Sequence, residues 1–216
     1  MKIAVFGTKM VGRTIATKLV ELGHDVMMGS RTADNESALE WQREVGQRAS
    51  VGTFADAAAF GELAFNCTSG AGSLAALKAA GPDNLRGKVL VDLANPLDFS
   101  NGFPPSLLVS NTDSLAEQIQ RELPDTPVVK TLNTVNCNVM VDPTLVAQGD
   151  HHMFLCGNDP DAKARVHQIL TEWFGWRHII DLGDLSSARA TESYLHLWVR
   201  LMGNLGGPNF SIKVVQ

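Results

Sequence analysis

The stretch from Lys2 to Arg31 constrains the fold more than any other part of the chain. Lys2-Ile-Ala-Val-Phe6 is a short apolar run, Gly7-Thr-Lys-Met-Val-Gly12 is a glycine-bounded turn, and Val11, Ile15, Leu19 and Leu22 then recur at helical spacing. Gly23 closes that helix, and Asp25-Val-Met-Met-Gly-Ser-Arg31 reads as a second strand, which completes a βαβ unit. A strand that turns tightly into a helix places free backbone N–H groups at the positive end of a helix dipole, the arrangement that binds a pyrophosphate. The pattern therefore points to a dinucleotide-binding fold, although an ordinary strand-to-helix connection shares the same local signature.

Within the turn, Gly7 serves the tight bend and Gly12 lets the helix pack closely on the sheet, but Lys9 stands where the dinucleotide fingerprint has its middle glycine. Its Cβ would push the pyrophosphate outward, whereas its ammonium would attract it. At the end of the second strand, NAD-specific sites carry an acidic residue that binds both ribose hydroxyls. Here the chain reads Gly29-Ser30-Arg31-Thr32. A hydroxyl and a guanidinium suit the 2′-phosphate of NADP, each charge-assisted bond contributing about 1.5–3 kcal/mol, so the residues favour NADP over NAD. Arg31 as a solvated surface charge is the plainer alternative.

With 216 residues and a formal net charge of −5, the chain suits one α/β domain with a modest appendage and argues against a nucleic-acid surface. No run of Lys or Arg marks an anionic membrane patch, and no apolar run approaches the about 18 residues of a membrane span. Met1-Lys2 passes directly into the first strand without a leader, so a soluble, cytoplasmic protein is expected. Cys67, Cys137 and Cys156 fit neither a disulfide framework nor a zinc site and read as reduced thiols.

Further along, Glu36 to Ala49 reads as a surface helix, Ser50 to Phe54 as a third strand with a brief helix over Ala55–Phe60, and Leu63 to Thr68 as a fourth strand. Ligands of open parallel sheets sit beyond the carboxyl ends of strands, so Thr68-Ser69-Gly-Ala-Gly-Ser73 is a candidate cofactor loop as well as a helix N-cap. Lys88 to Ala94 is a buried strand ending in Asn95-Pro96, followed by a loop with Gly102, Pro104 and Pro105 that could cover the site. Ser114 to Leu123 resumes helical spacing, capped by Ser114 or Asp113. Pro127 to Asn133 is the last strand assigned to the parallel sheet. It ends in the uncharged polar cluster Asn133-Thr134-Val135-Asn136, which either orients an acceptor without adding charge near a transferring hydride or simply forms a turn.

From His151 a strand, an amphipathic helix (Ala162, Val166, Ile169, Leu170, Trp173) and another strand, His178–Asp181, precede a helix over Ser187–Leu205 that is apolar nearly all round. The expected architecture is a doubly wound, mostly parallel Rossmann α/β sheet over residues 1–148. A small α/β appendage over 149–216 ends in a long helix, buried against the first domain and against a second copy in a homodimer.

No paired carboxylates or Cys/His arrangement emerges as a catalytic acid or base. His151 and His152 are adjacent and would face opposite ways in a strand, and His167, His178 and His196 lack ligand spacing, so no metal site is expected.

Taken together, the first turn, Gly29-Ser30-Arg31, Asn133-Thr-Val, Cys156-Gly-Asn-Asp159, Leu185-Ser-Ser-Ala-Arg189 with Glu192-Ser193, and Gly206-Gly-Pro-Asn-Phe-Ser-Ile-Lys-Val resemble the F420-dependent NADP oxidoreductases over nearly the whole chain. The resemblance implies direct hydride transfer between NADP(H) and coenzyme F420, a flat deazaflavin, with the protein supplying placement and exclusion of water. It implies that Thr8, Lys9, Met10 and Val11 face the pyrophosphate, Ser30 and Arg31 the 2′-phosphate, and Thr68, Asn95 and Asn133 the redox centre. It also carries Ser69 and Pro96 to the cofactor side and Thr134, Val135 and Asn136 to the acceptor side. The chain departs from the family at Lys9, normally glycine, and at Asn133, commonly histidine in archaeal members. From another class, a catalytically silent dinucleotide sensor or interaction protein would also account for the altered phosphate loop.

Overall fold

The computed structural model describes all residues, Met1–Gln216. In chain order the first half contains β1 (Lys2–Phe6), α1 (Met10–Glu21), β2 (Asp25–Ser30), α2 (Glu36–Val45), β3 (Ala49–Thr53), α3 (Phe54–Phe60), β4 (Leu63–Asn66), α4 (Gly70–Ala80), α5 (Pro82–Leu85) and β5 (Leu90–Asp92). A two-stranded hairpin follows, β6 (Leu97–Asp98) and β7 (Ser106–Leu107). Then come α6 (Leu115–Glu122), β8 (Val128–Thr131), α7 (Cys137–Val141), β9 (Met153–Gly157), α8 (Pro160–Gln168), β10 (Ile179–Asp181), α9 (Ala188–Ser193) and α10 (Leu195–Leu205).

Eight strands form one sheet in the order β10-β9-β8-β5-β4-β1-β2-β3. The six from β3 to β8 are parallel and carry the doubly wound order of a dinucleotide-binding sheet. β9 pairs antiparallel to β8, and β10 runs parallel to β9, so the C-terminal strands extend the same sheet in the opposite direction.

Strand alternation builds the two core layers. Ile3, Val5, Leu63, Phe65, Val91 and Val129 face one side, where Ile15 and Leu19 of α1, Trp41 of α2 and Val166 of α8 cover them. Ala4, Phe6, Ala64, Leu90 and Val128 face the other side, against Ala57 of α3, Leu77 of α4, Ile119 of α6 and Ala188 of α9. Strands buried on both faces must read as continuous apolar runs, which is why β1 and β5 stand out in the sequence.

Several elements differ in extent from the sequence reading. α4 begins at Gly70 rather than Leu74, because small residues there let the helix start against the neighbouring loop. The segment after Pro96 is a hairpin rather than an irregular loop. The C-terminal helical run is present in two pieces joined at Tyr194, whose backbone stays helical. Of α10 only Leu195 and Val199 are buried, while Leu197 and Leu205 are 55% and 62% exposed in the single chain. One stripe therefore packs on the domain, and the opposite apolar stripe does not. No helix is long and apolar enough to cross a membrane.

Candidate functional site

The carboxyl ends of β1 and β4 lie side by side, where strand order reverses, and the two loops that leave them define a crevice. Gly7 has φ +114°, and a Cβ there would lie 2.6 Å from the Cys67 carbonyl oxygen, so only glycine fits between the two strands. A Cβ on Gly12 would lie 2.0 Å from the Gly7 carbonyl oxygen, which explains the second glycine of the motif. Lys9 has an ordinary extended backbone (φ −91°), so its position does not require glycine conformationally. It is exposed and forms no ion pair.

The N–H groups of Thr8 through Gly12 make no hydrogen bond within the protein. α1 has no side-chain cap and no acidic residue in its first turn, whereas α2, α3, α6, α7 and α8 are all capped by a side-chain oxygen. α4, whose start faces the same crevice, is also uncapped: Ser69 occupies the N-cap position without a capping bond. A row of free donors at the positive end of a helix, unneutralised from within the chain, fits a dinucleotide pyrophosphate.

A cavity of about 840 Å³ runs along this turn and is lined by Gly7, Thr8, Lys9, Met10, Val11, Arg31, Thr68 and Ser69, with Phe54 and residues of α4. Arg31 is exposed and free of any ion pair, so two unpaired cations border the cleft. Ser30 is buried, and its hydroxyl donates to the Thr32 carbonyl, holding the loop that carries Arg31. It lines neither cavity.

The cleft continues past Met10, Val11, Cys67, Thr68 and Ser69 into a second cavity of about 560 Å³ at the ends of β4, β5 and β8. Asn95, Asn133, Val135 and Asn136 line it, together with Leu97 and Phe99 of the hairpin, Met140 of α7, and Leu195 and Trp198 of α10. Gly12, Pro96 and Thr134 stand behind the walls. A Cβ on Gly70 would lie 2.1 Å from the Asn95 carbonyl oxygen, so the start of α4 packs directly on Asn95-Pro96.

Most polar groups at the strand ends are engaged with one another. Asn133 donates to Asn95 Oδ1 (2.9 Å) and to the Thr191 carbonyl (3.1 Å), while Asn95 donates to the Asn133 carbonyl (3.0 Å). Both the N–H and the hydroxyl of Thr68 are taken by Asn66 Oδ1. Asn136 Oδ1 caps α7 through the Asn138 N–H. The sheet-end asparagines thus fasten loops to each other, and the lining they leave is largely apolar. Leu132, just before Asn133, is fully buried with φ +63°, a left-handed conformation costing about 1–2 kcal/mol for a residue with a Cβ. It turns the chain from β8 into the cavity wall.

Beneath the site lies an ion cluster that sequence reading missed. Lys130, with no exposed side chain, contacts Asp92 (2.9 Å) and Glu192 (2.9 Å) and donates to the Ala94 carbonyl. Burial pulls its pKa down, but the two carboxylates outweigh this and hold it above the ordinary lysine value. Asp92 also accepts from Asn66 (2.7 Å), and Asn66 reaches Thr68 on the cavity wall. A lysine and an aspartate inside otherwise apolar strands, Val128-Val-Lys130 and Val91-Asp92-Leu93, were the available signal.

Within the cavity lining, Asp98 is tied to the N–H and hydroxyl of Ser100. Burial, helped by Asp92, pushes the Cys67 thiol far above its usual range, which makes it a packing residue rather than a nucleophile. No group of three or more His, Cys, Asp or Glu side chains is arranged to hold a metal ion.

Fold and site together define a Rossmann-type dinucleotide-binding protein whose phosphate turn opens into an apolar pocket. The family described as NADP oxidoreductase, coenzyme F420-dependent, matches residues 2–96. A crystal structure from Arthrobacter sp. FB24, of a protein provisionally named an F420-dependent NADP-reductase, is 51% identical over 100% of both chains, with a TM-score of 0.94. The chain belongs to this family of NADP-dependent oxidoreductases. It is also 27% identical over 195 residues to metalloreductase STEAP3 of Rattus norvegicus, matching 89% of this chain but spanning only 36% of that protein. A reductive aminase from Aspergillus terreus in complex with NADPH and ethyl-5-oxohexanoate shares the fold, at 21% identity and a TM-score of 0.66 over 95% of this chain and 62% of that one.

Proposed function

We propose that the protein transfers a hydride between NADP(H) and a flat, delocalised acceptor such as coenzyme F420, seated in the 560 Å³ cavity. The observation that carries this reading is the unbroken row of free N–H groups from Thr8 to Gly12, flanked by two unpaired cations and leading into an apolar pocket. NADP, when bound, supplies the hydride chemistry. Thr8 to Gly12 bind the pyrophosphate, Arg31 and Lys9 bind the 2′-phosphate, and Ser30 holds the Arg31 loop in place.

The cavity lining contains no Lys, Arg or His. An anionic substrate such as a keto acid finds no countercharge there, and hydrogen bonds from Ser100 hold Asp98, the one carboxyl of the lining, below the usual carboxylate range, so a carbonyl or imine finds no carboxylic acid. A planar ring that spreads incoming negative charge over its own π-system needs neither, which favours a deazaflavin or related ring. Val11, Val135, Leu195 and Trp198 exclude water and set the ring plane. The exposed Leu197 and Leu205 of α10 are the surface on which a second copy of the chain packs in a homodimer.

Anaerobic spectroscopy of NADPH oxidation with F420, free flavins and quinones tests the reading. Turnover with a flat acceptor is expected. Tight NADPH binding without turnover on any of them would instead favour a silent dinucleotide sensor.

A further inference from the structure

We infer that Glu192 is a positioning residue for the acceptor side of the cavity, an inference that rests on the functional reading above. Glu192 is 1% exposed and lies far in sequence from both its partners, yet its carboxylate is saturated. It accepts the first N–H groups of α6, from Leu115 (2.8 Å) and Ala116 (3.1 Å), and contacts Lys130 Nζ at 2.9 Å. Lys130 in turn holds Asp92 and the Ala94 carbonyl, so one buried cluster ties α6, β5, β8 and α9 together at the site.

The geometry of the C-terminal helices carries this anchor to the cavity. Thr191, Leu195 and Trp198 are spaced i, i+4 and i+7 on the same face of the helical run, and Tyr194 keeps the two pieces in helical register. The Thr191 carbonyl is fastened to Asn133, and Leu195 and Trp198 are cavity wall. One turn thus bears a neighbouring pair with separate tasks, Glu192 inward to the ion cluster and Leu195 to the pocket. The wall that meets the acceptor begins one turn after Glu192, so the anchor sets where that wall starts. Neither Glu192 nor Lys130 contacts the phosphate turn or α1, so a change at Glu192 is expected to reach the acceptor wall before it reaches the pyrophosphate site.

Glu192→Gln tests the assignment without changing size. A glutamine amide must present donors either to the α6 N–H groups or to Lys130, so the anchor loosens. The expected result is an acceptor KM raised about tenfold or more, with the NADPH Kd within about twofold of the parent. Trp198→Leu trims the wall directly. The two substitutions combined are expected to cost less than the product of their separate effects, because both act through the same surface. Glu192→Asp, which keeps the charge but withdraws it by one methylene, gives the same signature at smaller size and serves where the glutamine variant does not fold. Parallel loss of NADPH and acceptor binding, lower thermal stability with unchanged kinetics, or full additivity with Trp198→Leu would each overturn the assignment. A parent protein that oxidises NADPH with no flat acceptor contradicts the functional reading itself, and this inference with it.

Discussion

At the scale of single residues, Lys9 is the position where chemistry and family pattern part. Its extended backbone shows that the middle glycine is dispensable for the turn here, and its side chain is free of ion pairs. An ammonium beside free N–H groups adds attraction for phosphate, so Lys9→Gly is expected to weaken NADPH binding by about 0.5–1.5 kcal/mol, roughly two- to tenfold, in a fluorescence titration. Tighter binding by the glycine variant would show the lysine to be an obstruction. The glycines around it were legible in sequence because the steric demand is local: Gly7 and Gly12 answer to contacts within the turn and the next strand. The pairing of Lys130 with Glu192 was not legible. The two residues stand 62 positions apart, and only the pairing of β8 with β5 and the return of the chain through α9 bring them together.

At the scale of elements, α6 shows how a helix is held. Ser114 caps it through the Glu117 N–H (3.1 Å), Glu117 pairs with Arg189 of α9 (Nε to Oε2, 2.9 Å), and Asp113 pairs with Arg121. Hydrogen bonding from Arg121 depresses the Asp113 carboxyl to about 2, and Arg189 holds Glu117 below the usual carboxylate range. The folded pKa of Asp113 lies below its unfolded value of about 3.9, so its stabilisation is fully present above about pH 4 and lost as pH falls toward 2. Asp113→Asn is therefore expected to lower the thermal midpoint at pH 6 by a few degrees at most, since the pair is partly exposed, with the difference closing by about pH 2. A difference that is unchanged from pH 6 to 2 would assign the effect to packing instead. The start of α6 was readable as a cap at Ser114 or Asp113, and the structure selects Ser114. The hairpin β6-β7 was not readable, because strands of two residues are too short to carry a periodic signal.

At the scale of the whole molecule, the parallel half was written into the sequence as apolar runs and turn residues. The reversal at β9 was invisible, since a strand's direction depends on where the preceding turn delivers it and not on its composition. The apolar stripe of α10 is a further global property: burial on every side was expected, and a single chain covers only one side. The proposed homodimer would cover the remainder with a second copy packed on Leu197 and Leu205. Sedimentation is expected to find a dimer that Leu197→Asp converts to monomer, whereas a monomeric parent would leave that stripe to another partner.

In the proposed complex, the corner formed by Arg31 and the start of α1 receives the 2′-phosphate and pyrophosphate of NADP. Calorimetric titration of the parent and Arg31→Ala with NADPH and NADH tests it most directly. NADPH is expected to bind the parent at least about tenfold more tightly than NADH, and loss of the guanidinium should cost NADPH about 1.5–3 kcal/mol while leaving NADH nearly unchanged. Equal affinity for the two nucleotides in the parent, or an Arg31→Ala variant that binds both as before, would contradict the account.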